Sequence, residues 1–352
     1  MRLLDFVRHF PDDLTMHLCV TGDRRSLLPE FQKYTANITF VVVKRPYMEP
    51  GKIRIVHEYV RENRIEVVNT FDLKGLLIAV VMKLFLNCRA RIIHHVVNLL
   101  QNYRPHQRLL LFLLLQVVDG VISNSETARR NLRGFIRHEK VQTIHNGVDT
   151  SLFRRNGSPR SLRQMIGISD DEIIVGTVAN FKPEKNYPFL ISAFARLSQL
   201  HPNLRLLCVG GGSLLEPMRR LAQAHTVSDK VVFCGHVQDV REYLNIMDIF
   251  VLCSTKESFP NVLIQAMSMA LPVVASHVGG CPEIVDHLHD GLLFKLDAAD
   301  EFPNWISKLV NDKTLSDKLG RNARSKVEKL FSLETMIWNY SKFFRSLATE
   351  RV

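Results

Sequence analysis

Short, β-branched apolar runs recur along this chain at the spacing of a helix and a loop, and they do so in two successive series. In the first, Met16–Val20, Ile38–Val43, Ile65–Asn69, Ala90–His94, Gly120–Ser123 and Val141–Ile144 read as strands, with Gly51–Asn63, Leu73–Asn87, Pro105–Val117 and Glu126–Phe135 as helices among them. In the second, Ile173–Ala179, Leu204–Val209, Val231–Cys234, Ile249–Cys253, Pro272–Ser276 and Leu292–Phe294 alternate with helical stretches Pro188–Leu200, Leu214–Ala224, Val240–Met247, Val262–Met269 and Pro282–Val285. Strands that are apolar along nearly their whole length are covered on both faces, and a helix between successive strands makes their pairing parallel. The pattern predicts an α/β protein of two doubly wound, Rossmann-like domains.

The 352 residues suit that count, since a domain takes roughly 100–200. The reading assigns 1–150 to the first domain, 151–170 to a polar, basic connection containing Gly157, Pro159 and Gly167, and 171–330 to the second. Residues 331–352 read as a C-terminal helix packing back on the first domain. The chain opens on what looks like a surface helix, Met1–Phe10, where a doubly wound domain would open on a strand and a glycine-bearing loop. The expectation is therefore a first domain shortened at its N-terminus.

Forty-six Lys plus Arg against 35 Asp plus Glu give a formal charge of +11, which favours anionic partners without choosing among them. Arg129, Arg130, Arg133, Arg137 and Lys140, and then Arg154, Arg155, Arg160 and Arg163, form either a solvated face or a surface for an anionic acceptor or lipid. Aromatic platforms and a recognised nucleic-acid motif are missing, so nucleic acid is not an expected partner. Six cysteines without metal-site spacing read as buried thiols of a reducing compartment. The first residues lack the apolar core of a signal peptide, which points to a cytoplasmic chain. Leu73–Leu86 and Leu109–Val118 are too short to span a bilayer, leaving buried helices or peripheral contact with an anionic membrane's inner face.

The densest chemistry is Glu257-Ser258-Phe259-Pro260-Asn261-Val262-Leu263-Ile264-Gln265. It follows a strand, and Pro260 suits the first turn of the helix that comes next. Helix-start amides there can receive a diphosphate, while Glu257 can accept hydrogen bonds from neutral hydroxyls. Gln265, two turns on, can reach the same groove; each of these residues has a plain capping or surface reading too. Gly210-Gly211-Gly212-Ser213 opens another helix after a strand, and Gly279-Gly280 precedes Pro282-Glu283 in the same way. Either could be a tight turn or a site of close approach to phosphate or sugar. Lys185 could be solvated or could neutralise a diphosphate.

In this order the motifs resemble the group 1, or family 4, glycosyltransferases of the two-domain GT-B fold. The matching strings are Ile144-His145-Asn146-Gly147-Val148-Asp149, Phe181-Lys182-Pro183-Glu184-Lys185-Asn186, Val209-Gly210-Gly211-Gly212, Glu257–Gln265 with Ala266-Met267, Pro272-Val273-Val274-Ala275 and Val278-Gly279-Gly280. The resemblance implies two domains facing a cleft, a nucleoside-diphosphate sugar (often a uridine one) on the second, and transfer with retention to a saccharide or lipid-linked acceptor recognised by the first. It implies that Lys185 steadies the diphosphate, that Glu257 holds donor-sugar hydroxyls, and that Asn180, Gly211, Gly212, Val262, Leu263, Gln265, Gly279 and Gly280 line the donor site. Asn180 stands where the family carries arginine, and Gln265 where it usually carries glutamate. A first-domain histidine at the sugar-facing cleft would be His94 or His95. Retaining transfer needs no glycosidase-like carboxylate pair. With no DxD feature, neither an essential metal nor a redox cofactor is expected. A nucleotide-sugar epimerase and a non-catalytic nucleotide-sugar-binding protein are the competing readings.

Overall fold

The computed structural model describes residues 15–21, 38–43, 49–96, 100, 103–157, 160–298 and 300–349. The chain divides into two compact units, Met1–Asn146 with Leu333–Val352, and Gly147–Ser332. Both are parallel α/β layers of Rossmann type. Met1–Phe10 and the segment before the first described strand lie outside the described residues.

In the first unit, strands β1 (Met16–Thr21) and β2 (Ile38–Val43) form a parallel pair. A separate sheet runs in the order β3 (Val67–Thr70), β4 (Arg91–Val96), β5 (Gly120–Ser123) and β6 (Val141–Thr143), all parallel. Among the described residues no ladder joins the pair to that sheet. Helices α1 (Pro50–Glu62), α2 (Leu73–Phe85) and α3 (Pro105–Leu115) supply Val56, Leu76, Met82, Leu111 and Leu115 to one core. Asp72 caps α2, its carboxylate accepting from the Gly75 amide at 2.6 Å. On another side Ile93, Ile122 and Ile144 meet Leu333, Met336, Ile337 and Tyr340 of the C-terminal helix Leu333–Thr349. The helix expected at Glu126–Phe135 stops at Asn131 and gives way to turns, with Gly134 in the left-handed region.

The second unit carries β7 (Ile173–Val178), β8 (Leu204–Val209), β9 (Val231–Gly235), β10 (Ile249–Leu252), β11 (Val273–Ser276) and β12 (Leu292–Phe294). They form one parallel sheet in the order β12-β11-β10-β7-β8-β9. Neighbours along each strand point to opposite faces, and both faces are filled. Ile174, Leu207, Phe250 and Val273 enter one apolar cluster while Val175, Leu206, Val251 and Val274 enter the other. The strand order reverses between β7 and β10, which are directly hydrogen-bonded. Open α/β sheets bind ligands outside the carboxyl ends of their strands at such a switch point.

The basic passage 151–170 is built into this unit. Its helix Arg160–Met165 and following turn place Leu162 and Ile168 in the core. Arg155 donates to the Met247 carbonyl and Arg163 to that of Glu172, so these arginines close loops instead of offering charge to a partner. All six cysteines are free, and burial raises the Cys208, Cys253 and Cys281 thiols far above their ordinary range. No helix among the described residues is long and apolar enough to cross a membrane.

Candidate functional site

The loops after β7 and β10 meet at the switch point. After β7 the chain passes exposed Asn180 and enters a single 3-10 turn, Pro183–Lys185, ended by Asn186 at φ 52°. After β10 it runs through Ser254 and Thr255 to Glu257, and then into the helix Asn261–Ser268. The Thr255 amide donates to the Glu184 carbonyl at 2.8 Å and ties the two loops by their backbones. The Lys185 ammonium thereby lies 2.5 Å from Glu257 Oε1, with the two side chains 21% and 10% exposed. A carboxylate this sheltered needs a charged or hydrogen-bonding partner, and here it has both kinds. The second is Ser254, whose hydroxyl donates to the same oxygen at 2.6 Å.

Ser254 is fully buried, and its carbonyl accepts a 2.6 Å bond from Ser276 Oγ, also fully buried, at the end of β11. Neither serine was singled out from the sequence. The available signal is a hydroxyl closing an otherwise apolar strand, as in Ile249-Phe250-Val251-Leu252-Cys253-Ser254 and Val273-Val274-Ala275-Ser276.

Gly279 and Gly280 act on this site differently from a phosphate-admitting turn. Gly279 has φ 52°, and a Cβ there would sit 1.7 Å from the Glu257 carbonyl oxygen; at Gly280 it would sit 2.0 Å from that of Ser258. The Gly280 amide donates to the Glu257 carbonyl at 3.3 Å. The pair is a backbone buttress that lets the β11 loop press against the Glu257 loop. Gly212 is likewise closed against the backbone of Phe181, whereas a Cβ on Gly211 would meet nothing nearer than His236 Cβ at 3.5 Å.

Pro260 is the N-cap of its helix, one position before the first turn in which the sequence placed it. The Leu263 amide is committed to the Pro260 carbonyl at 3.0 Å and its side chain is core, so it is not an open phosphate donor. Val262, half-buried in the first turn, has the helix-start position whose N–H lacks an intrahelical acceptor. Gln265 is half-buried, and its amide group has no hydrogen-bond partner among the described residues.

His94 and His95 lie in the first unit, within β4 and not at its end, because the ladder to β5 continues through His95 to Val96. Both are buried. Thr70 Oγ1 donates to the Ile93 carbonyl at 3.2 Å and lies 2.8 Å from His94 Nδ1. Burial pulls His94 down to about 4. His95 stacks between Phe71 and Tyr340, at centroid distances of 4.2 and 5.6 Å. Its Nε2 has no partner among the described residues, and burial followed by the neighbouring His94 takes it down to about 3. Both rings are neutral at pH 7.

Residues 160–326 match the family described as glycosyl transferases group 1, and residues 2–152 match that described as glycosyltransferase family 4. Over 207 residues the chain is 28% identical to N-acetyl-alpha-D-glucosaminyl L-malate synthase of Bacillus anthracis, covering 59% of this chain and 54% of that one. It is 26% identical over 232 residues to a GDP-mannose-dependent alpha-(1-6)-phosphatidylinositol monomannoside mannosyltransferase of Mycobacterium tuberculosis, covering 63% and 60%. The chain thus spans little more than half the length of these curated relatives. Among solved structures, Anabaena Alr3699/HepE in complex with UDP and glucose has the same fold, with TM-score 0.83 at 22% identity over 98% of this chain and 95% of that one.

Proposed function

We propose that the chain is a group 1 glycosyltransferase, a reading supported by the family matches over residues 160–326 and 2–152, and that it transfers a sugar from a nucleoside-diphosphate sugar to a hydroxyl acceptor with retained stereochemistry. The observation that carries this reading is the Lys185–Glu257 pair, held by two backbone-tied loops at the switch point of the second sheet. In this proposal the incoming diphosphate draws on the Lys185 ammonium and on the helix-start amide of Val262, while Glu257 accepts from hydroxyls of the donor sugar. Lys185 stabilises charge as the diphosphate leaves, and an oxygen of the leaving group takes the acceptor's proton, so no second carboxylate is required. Gln265 and the Gly211 backbone serve the nucleoside side.

A uridine donor is favoured by the complex of the HepE relative with UDP and glucose, and the mannosyl relative named for GDP-mannose makes guanosine the base to test against it. The acceptor is a saccharide or lipid-linked saccharide of polysaccharide or glycolipid assembly, met at the inner face of a membrane. Support for the membrane comes from the exposed Leu84, Phe85, Leu109 and Leu113 of α2 and α3, with exposed Arg133 and Arg137 flanking the Phe135 that packs on Phe112.

Titration with UDP-glucose and GDP-mannose, followed by product analysis against soluble and lipid-linked acceptors, tests the reading. Sugar transferred only when acceptor is present supports it. Rearrangement of the donor without acceptor would make the protein an epimerase, and binding with neither outcome would make it a non-catalytic binder.

A further inference from the structure

We propose that Ser254 is a positioning residue that holds Glu257 in the one orientation able to read a donor sugar, an inference that rests on the donor site described above. Two donors converge on a single carboxylate oxygen: Lys185 Nζ at 2.5 Å and Ser254 Oγ at 2.6 Å, both on Oε1. Oε2 has no hydrogen-bond partner among the described residues and is the oxygen left to accept from a sugar hydroxyl. The two donors differ in permanence. Lys185 sits on a flexible four-carbon stem, is partly exposed, and is the group a diphosphate would recruit. Ser254 is short, fully buried and fixed from behind by the Ser276 hydroxyl on its own carbonyl. When a diphosphate takes the ammonium, Ser254 remains as the donor that keeps Oε1 turned inward and Oε2 turned out. Water cannot substitute for it without space, and the Ser254 side chain is 0% exposed.

The role predicts a split between nucleotide and sugar recognition. Glu257 faces the sugar in this account, so loss of the Ser254 hydroxyl should leave the diphosphate contact intact and weaken only the sugar-dependent part of binding. The test titrates the full chain with UDP and UDP-glucose, and with GDP and GDP-mannose, using whichever pair the unaltered protein binds. For Ser254→Ala the affinity for the nucleoside diphosphate should stay within a factor of two. The affinity for the nucleotide sugar should fall about tenfold, the loss expected for one hydrogen bond to a charged group. Ser254→Thr, which keeps the hydroxyl, should recover most of it, and the thermal midpoint of Ser254→Ala should stay close to that of the parent. Equal loss for nucleotide and nucleotide sugar would mean that the serine merely supports the loop and would overturn the proposal, as would an unchanged ratio. If the unaltered protein binds neither pair, the donor-site reading itself fails, a result distinct from either of these.

Discussion

The two units of this protein handle their ionisable groups in opposite ways. The second brings a lysine and a glutamate together as charges at the mouths of β7 and β10, each set by backbone ties of its loop. The first draws two histidines into the body of β4, strips them of solvent and keeps them neutral. Charged groups at a switch point are poised for an ionic ligand, whereas buried neutral rings contribute packing and at most one directed lone pair. On the proposed reading the steep chemistry falls to the second unit, and the first unit's histidines are primarily a matter of stability.

The strongest attempt to break that assignment is Glu257→Gln, an isosteric change that removes the charge facing Lys185. Transfer should fall by roughly 10²–10³, the cost of losing one electrostatic contact made in the transition state, while the thermal midpoint moves little; equal specific activity would reject the assignment. Acid should act on the other unit. His94 and His95 titrate near 4 and 3 in the fold, and at the ordinary 6.5 once unfolded. Below pH 6.5 the unfolded chain therefore binds protons that the folded one refuses, and stability must fall as pH falls through 6.5 toward 4. The first unit should lose several kcal/mol over that window. Among the described residues of the second unit, His287 is shifted the same way by burial. Acid unfolding followed by site-resolved hydrogen exchange checks the order; simultaneous loss of both units would contradict it.

Lys185→Ala sharpens the division within the donor site. Binding of a nucleoside diphosphate should weaken about tenfold, the cost of one charge-assisted contact, with free sugar unaffected. A nucleotide-bound structure with Lys185 still on Glu257 and away from phosphate would remove its proposed role. The smallest effect is expected at Gln265→Glu, where a charged acceptor replaces a neutral one. Nucleotide binding should tighten by roughly threefold, and looser binding by calorimetry would mean that the amide is tuned to this ligand.

Most of the fold could be read from period and spacing because buried parallel strands must be apolar on both faces, and the second unit meets that condition on every strand. The placement of Glu257 and Lys185 on loops after strands was legible, because charge can face a ligand there. Their contact with each other was not, since a separation of 72 positions is closed by the β7–β10 ladder and the Thr255–Glu184 backbone bond. Gly279 and Gly280 look like a flexible phosphate loop in sequence, and only the backbone pressed against them shows a buttress. The histidines looked like strand-end groups because the register with β5, which extends β4 through Val96, is a tertiary fact. Ser254 and Ser276 carry no local pattern beyond a hydroxyl after an apolar run, and their relay exists only where two strand ends meet.

The central claim is that donor recognition resides in the second unit's switch-point loops. Amide hydrogen exchange with and without the nucleotide sugar that binds best measures this directly. The account predicts new protection over 180–186, 254–265 and 277–283, with the β4 amides around His94 and His95 changed far less. Protection centred on β4, with the Glu257 loop exchanging as before, would contradict it.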